Sequence, residues 1–202
     1  MPQCAMPLPT LTVVSGPPGS GKTTLAHQIA QELGCPAIIR DELKQGMVNA
    51  TPGYEPGTND PLNIPTLKAF FDVLTVLLRA RVTLVAEAAF QDRLWRPNLE
   101  PLLELAQIRV IRCTVDAVIA HGRIAHRAIH STHRAAHADD ELLKAITAGE
   151  HNLDAFGWIR MDLPTLTIDT TSGYEPPLPD IVAFAAAPAP TGPGRWPRPT
   201  SR

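Results

Sequence analysis

Apolar positions along the chain fall into two rhythms: short β-branched runs, and longer stretches in which they recur every three or four residues. The run Thr10 to Ser15 (TLTVVS) reads as a strand and leads into the glycine-rich GPPGSGKTT. A helical pattern follows, with Leu25, Ile29 and Leu33 spaced by four, small Ala26 and Ala30 beside them, and Gly34 as its C-terminal stop. Further strands are predicted at Ala37 to Ile39, Val82 to Ala86, Ile108 to Cys113 and Leu166 to Ile168, with helical patterns near 65–80, 94–106, 116–130 and 139–155. Strands alternating with helices imply an α/β domain, a parallel sheet with helices on both faces.

Two stretches break the rhythm. Thr51 to Pro65 (TPGYEPGTNDPLNIP) concentrates Pro, Gly, Asn and Asp, so it reads as a long loop, either covering a substrate or forming a plain surface insertion. From Ala185 onward, AAAPAPTGPGRWPRPTSR offers prolines and small residues that cannot build a core. The expected organisation is an N-terminal extension over 1–9, one catalytic domain over 10–184 and a disordered Pro-rich tail over 185–202.

Composition narrows the class. With 202 residues, 44% of them hydrophobic, the chain can bury one α/β core. A formal charge of −2 provides no domain-wide positive field for long nucleic acid. Cys4, Cys35 and Cys113 are scattered and odd in number, which fits a reducing cytoplasm better than a disulfide framework. No apolar stretch approaches the 18 residues a membrane span needs, so no membrane partner is expected.

The chemistry starts at Gly16 to Thr23 (GPPGSGKT), which matches G-x-x-x-x-G-K-[ST]. Gly16, Gly19, Ser20, Gly21 and Thr24 frame a loop whose backbone amides surround phosphate oxygens. Lys22 reaches the outer phosphates, Thr23 offers its hydroxyl to Mg²⁺, and the following helix directs its positive end at the anion. ATP and Mg²⁺ are the expected cofactors.

Three polar sets at predicted strand ends are candidates for the rest. Asp41, after Arg40 and before Glu42, is placed to accept the proton of an attacking hydroxyl, or to cap a short helix. Glu87 ends its strand as an acid for Mg²⁺-bound water or a substrate hydroxyl, or as half of a surface ion pair. Its neighbour Phe90 packs on a substrate or in the core. Arg123, Arg127 and Arg134 fall within about 40° of one another on a helix, as a set that neutralises a transferring phosphoryl group or as a solvated face. His126, His130, His133 and His137 share a face beside them, with i, i+4 spacing that suits zinc or simply a polar lid.

These motifs resemble the P-loop kinase group that includes polynucleotide 5′-hydroxyl kinases, zeta-toxin-like kinases and chloramphenicol phosphotransferase, over roughly Thr10 to Ile168. The resemblance implies a P-loop NTPase fold with a five-stranded parallel sheet and a helical lid. It also implies Asp41 as catalytic base, Arg40 as a substrate or phosphate contact, Arg123 near the adenine, and Arg127 near the γ-phosphate. The segment around Pro65 would form the acceptor side, with Glu87 standing where many relatives carry Asp. The expected activity is transfer of the γ-phosphate of ATP to a hydroxyl of a small molecule such as a nucleoside, sugar or antibiotic. The alternatives are a kinase for nucleic-acid 5′ ends, disfavoured by the acidic balance and 5% aromatic content, and a nucleotide-dependent switch whose partner docks on the tail.

Overall fold

The computed structural model describes residues 7–55, 60–130 and 156–187, with backbone alone for 127–130. Its strands are β1 (Thr10–Ser15), β2 (Ala37–Ile39), β3 (Leu84–Glu87), β4 (Gln107–Thr114) and β5 (Thr165–Asp169), all parallel in the order β2-β3-β1-β4-β5. Between them run helices α1 (Lys22–Leu33), α2 (Arg40–Asn49), α3 (Asn63–Arg79), α4 (Asp92–Leu99) and α5 (Ala117–His130), with α6 (Leu178–Ala186) after the last strand.

Because successive strand residues point to opposite faces, β1 feeds two cores. Leu11 and Val13 face Phe70, Leu74 and Trp95 of α3 and α4. Val14 faces Leu25 and Ile29 of α1, together with Ile181 and Phe184 of α6. A strand buried on both sides has no polar alternation to display, which is why TLTVVS reads as a continuous apolar run.

Several boundaries differ from expectation. The 94–106 pattern is α4 followed by a separate turn of 3₁₀ helix at Glu100–Glu104, because Pro101 has no amide to continue the α-helical ladder. The predicted loop overshoots: α3 starts at Asn63 and holds Pro65 in its first turn, where the missing N–H costs nothing. Helix α6 was not signalled, and Ala185, assigned to the tail from sequence, is buried within it. The 139–155 pattern lies outside the described residues. Among the described residues no helix is long and apolar enough to cross a membrane.

Candidate active site

Register sets the site's position. Val14 and Ile39 both align with Glu87, so the end of β1, the end of β2 and Glu87 meet at the carboxyl edge of the sheet, the edge where open α/β sheets bind ligands. From β1 the chain turns through the glycine-rich loop into α1. Gly19 needs its lack of a side chain twice over, since its φ is 79° and a Cβ would stand 2.7 Å from the carbonyl oxygen of Ala120. Gly21 caps α1 in the left-handed conformation, with no side chain bonded to the helix's first amides. Those amides, with the positive end of a 12-residue helix behind them, are left to an anion.

Within the loop, Lys22 is buried and its Nζ donates to the Pro17 carbonyl at 2.9 Å, with Glu87 Oε1 at 4.0 Å. The hydroxyl of Thr23 donates to Glu87 Oε2 at 2.9 Å. Burial pushes the Glu87 carboxyl above its ordinary pKa against the pull of Lys22, and the negative charge of Asp41 pushes the same way. A buried acid beside a hydroxyl and a cradle of amides fits Mg²⁺ with a polyphosphate. Both side chains offer hard oxygen, and the buried Oγ of Ser20 has no hydrogen-bond partner among the described residues. Glu87 is therefore on the phosphate side and is not a surface ion pair, being 2% exposed.

On one flank of the loop opens a cavity of about 720 Å³, lined in part by Thr24, Val118, Ile119, Gly122, Arg123 and Tyr174. Val118 and Ile119 present apolar surface there. Arg123 reaches across: its guanidinium donates to the Thr170 carbonyl at 2.6 Å, to the Thr171 carbonyl at 3.3 Å and to the Gly19 carbonyl at 3.4 Å. The buried Thr170 Oγ1 lies 2.9 Å from the Ser20 carbonyl and 3.0 Å from that of Thr114. Arg123 and Thr170 thus fasten the phosphate loop to the end of β5, and Arg123 is committed to backbone carbonyls rather than to a transferring phosphoryl group.

A second cavity of about 380 Å³ lies among α2, α3 and the start of α4. Arg40 and Asp41 enter it from the first turn of α2, where Ile39, not Asp41, occupies the cap position. There the Asp41 carboxylate also complements the helix dipole. Arg40 donates to Asp41 Oδ1 and to Asn63 Oδ1, each at 2.9 Å, and its guanidinium sits 5.9 Å from the centre of the Phe90 ring. Phe90 packs edge-on against Phe70 and Trp95 in the core, and its ring also lines the cavity. Beneath α2, Lys44 and Asp60 form a buried ion pair, and the Tyr54 hydroxyl donates to Asp60 Oδ2 at 2.7 Å. Burial pushes the Asp60 carboxyl up. Hydrogen bonds from Lys44, Tyr54 and the Leu62 amide outweigh it and hold the group below its ordinary value of 3.8. This cluster ties Tyr54 and Asp60 to Lys44 of α2.

The structure brings together Lys22, Thr23 and Glu87, gathers Arg40, Asp41 and Phe90 on the second cavity, and places Arg123 on the first. Arg127 continues α5 one turn on, His126 lines the nucleotide cavity, and Arg134, His133 and His137 lie outside the described residues. Sequence reasoning missed Thr170, Asn63, Leu67 and Leu94. The first carried no motif, and the others were assigned to a loop edge or a generic helical stripe.

A five-stranded parallel sheet in this order, with the glycine-rich loop after its central strand, defines a P-loop NTPase of the small-kinase type. The chain belongs to the AAA domain family, whose model matches residues 11–150. Among solved structures, a candidate kinase from Chloroflexus aurantiacus superposes with a TM-score of 0.70 at 23% identity, over 88% of this chain and 96% of that one. A sugar kinase from a Janibacter species gives 0.56 at 21% identity, over 91% and 97%. The Mycobacterium tuberculosis APS kinase, solved with AMPPNP and APS, gives 0.54 at 16% identity, over 88% and 98%. No curated protein sequence matches the chain.

Proposed function

We propose that this protein is a kinase that transfers the γ-phosphate of ATP to a hydroxyl of a small molecule. The observation that carries this reading is the Asp41 carboxylate, set on a second cavity that shares no lining residue with the one beside the glycine-rich loop. A switch or a plain ATPase has no use for an acid-lined second cavity. In the proposed reaction the acceptor oxygen attacks the γ-phosphorus. The new oxygen–phosphorus bond forms, the bond to the bridging oxygen of ADP breaks, and the hydroxyl proton passes to Asp41. Lys22 and the first amides of α1 hold the outer phosphates in line with that attack. Arg123 and Thr170 keep the loop in shape, and Arg127 and Arg134 are assigned to the lid side of the phosphates. Mg²⁺, held by Thr23 with Glu87 behind it, would neutralise phosphate charge. The catalytic unit extends from residue 10 through Ala186, with the Pro-rich segment beyond it dispensable.

The test is transfer of labelled γ-phosphate, with Mg²⁺, to a panel of nucleosides, sugars, aryl alcohols and 5′-hydroxyl oligonucleotides, comparing wild type with Asp41→Asn. Labelled product from wild type alone is the expected result. Label released only as free phosphate, and equally by both proteins, would transfer the argument to a nucleotide switch.

A further inference from the structure

The walls of the acceptor cavity, read together with the kinase assignment on which this inference rests, say what kind of alcohol belongs there. Ile64, Leu67, Ala89, Phe90 and Leu94 give it a continuous apolar lining. Polar groups are confined to one end, where Arg40, Asp41 and Asn63 stand together, and two of the guanidinium nitrogens already serve neighbours: one donates to Asp41 and one to Asn63. Only the buried Nε of Arg40 lacks a hydrogen-bond partner among the described residues. Ile64 stands 79% exposed at the first turn of α3, an apolar rim with nothing among the described residues covering it.

A polyol fits such a cavity poorly. Each hydroxyl placed against Leu67, Ala89 or Leu94 surrenders its water without gaining a partner, and binding weakens with every one. A hydrocarbon body loses nothing there and removes Ile64 from water. We infer that the acceptor is a largely apolar, ring-bearing alcohol: its body lies between Ile64, Leu67, Leu94 and the Phe90 ring, and its single reacting hydroxyl sits at the Arg40–Asp41 end. Attack by that hydroxyl forms the ester bond to the γ-phosphorus, expels ADP and leaves the proton on Asp41, so no further reactant is needed. The fold is shared with a sugar kinase, and the lining departs from what a sugar would require.

The experiment measures binding and transfer separately on the full chain. Phenylethanol and phenylpropanol are compared with glucose, gluconate and a 5′-hydroxyl oligonucleotide, by ligand-observed NMR without nucleotide and then by label transfer from Mg²⁺-ATP. Leu67→Asn and the surface variant Ile64→Asn, which carries little folding risk, accompany wild type. The expected result is aryl-alcohol binding that weakens roughly tenfold in each variant, with ATP affinity unchanged and polyols bound more weakly than aryl alcohols. Polyols bound and phosphorylated in preference to the aryl alcohols, or aryl-alcohol affinity indifferent to both variants, would overturn the inference while leaving a kinase in place. Aryl alcohols bound with the expected variant pattern yet never phosphorylated would uphold the cavity's chemistry and overturn the kinase assignment instead.

Discussion

The two cavities are built by opposite means. The nucleotide side is a backbone object: amides of the loop, the end of α1, and carbonyls of Gly19, Ser20, Thr114 and Thr170 drawn together by two side chains. The side proposed to take the acceptor is a side-chain object: α2 and α3 bring Arg40 and Asn63 together, with Leu67 and the Phe90 ring lining the same cavity. Backbone geometry recognises what every nucleotide shares. Side chains can be exchanged one at a time, so the acceptor half is where one fold serves different substrates.

That contrast can be broken deliberately. The largest effect is expected from Asp41→Asn: turnover should fall by about 10²–10⁴, and ATP affinity, measured by calorimetry, should hold, because Asp41 lines the second cavity and not the one beside the glycine-rich loop. Next is Asp60→Asn, which leaves the ammonium of Lys44 buried without its counter-charge. Denaturant unfolding should register a loss of about 3–5 kcal/mol, with acceptor binding impaired before nucleotide binding. Thr170→Val probes the opposite half. Removing one buried hydroxyl from the loop's carbonyls should weaken nucleotide binding roughly tenfold and leave acceptor binding untouched; equal losses on both sides would mean the halves are not independent.

The smallest effect concerns acid. Asp60 has a depressed pKa in the fold, so the stability it contributes is fully present above its ordinary value of 3.8 and is lost as pH falls through the lower folded value. Acid unfolding curves of wild type should therefore carry a slope below about pH 4, and Asp60→Asn should flatten it.

Legibility from sequence followed the same division. The P-loop was readable because strand, glycines, Lys22, Thr23 and helix lie within some two dozen consecutive positions, and each short β-branched run marked its strand to within a residue or two at either end. The acceptor cavity was readable only at Arg40, Asp41 and Phe90, which follow strand ends. Asn63, Ile64 and Leu67 act there because α3 packs back against α2 and the β3–α4 turn, a long-range outcome that no local pattern records. Pro65 misled for a related reason: a proline signals a break in a helix interior and a beginning in its first turn, and only the preceding chain's path decides which. Thr170 had no signal at all, since its partners Ser20 and Thr114 are distant in sequence.

The strand order has a consequence for how the chain is made. β1 leaves the ribosome first, yet Leu11 pairs with Leu84 on one side and Ile108 on the other. At roughly 5–20 residues per second, the sheet's central strand spends several seconds with neither neighbour in existence. Throughout that interval the apolar TLTVV segment and the phosphate loop behind it form a nascent, unpaired hairpin-sized stretch with two open edges. The sheet's central strand is thus its longest-waiting one, and its birth rather than its mature surface is the stage at which a chaperone has most to hold.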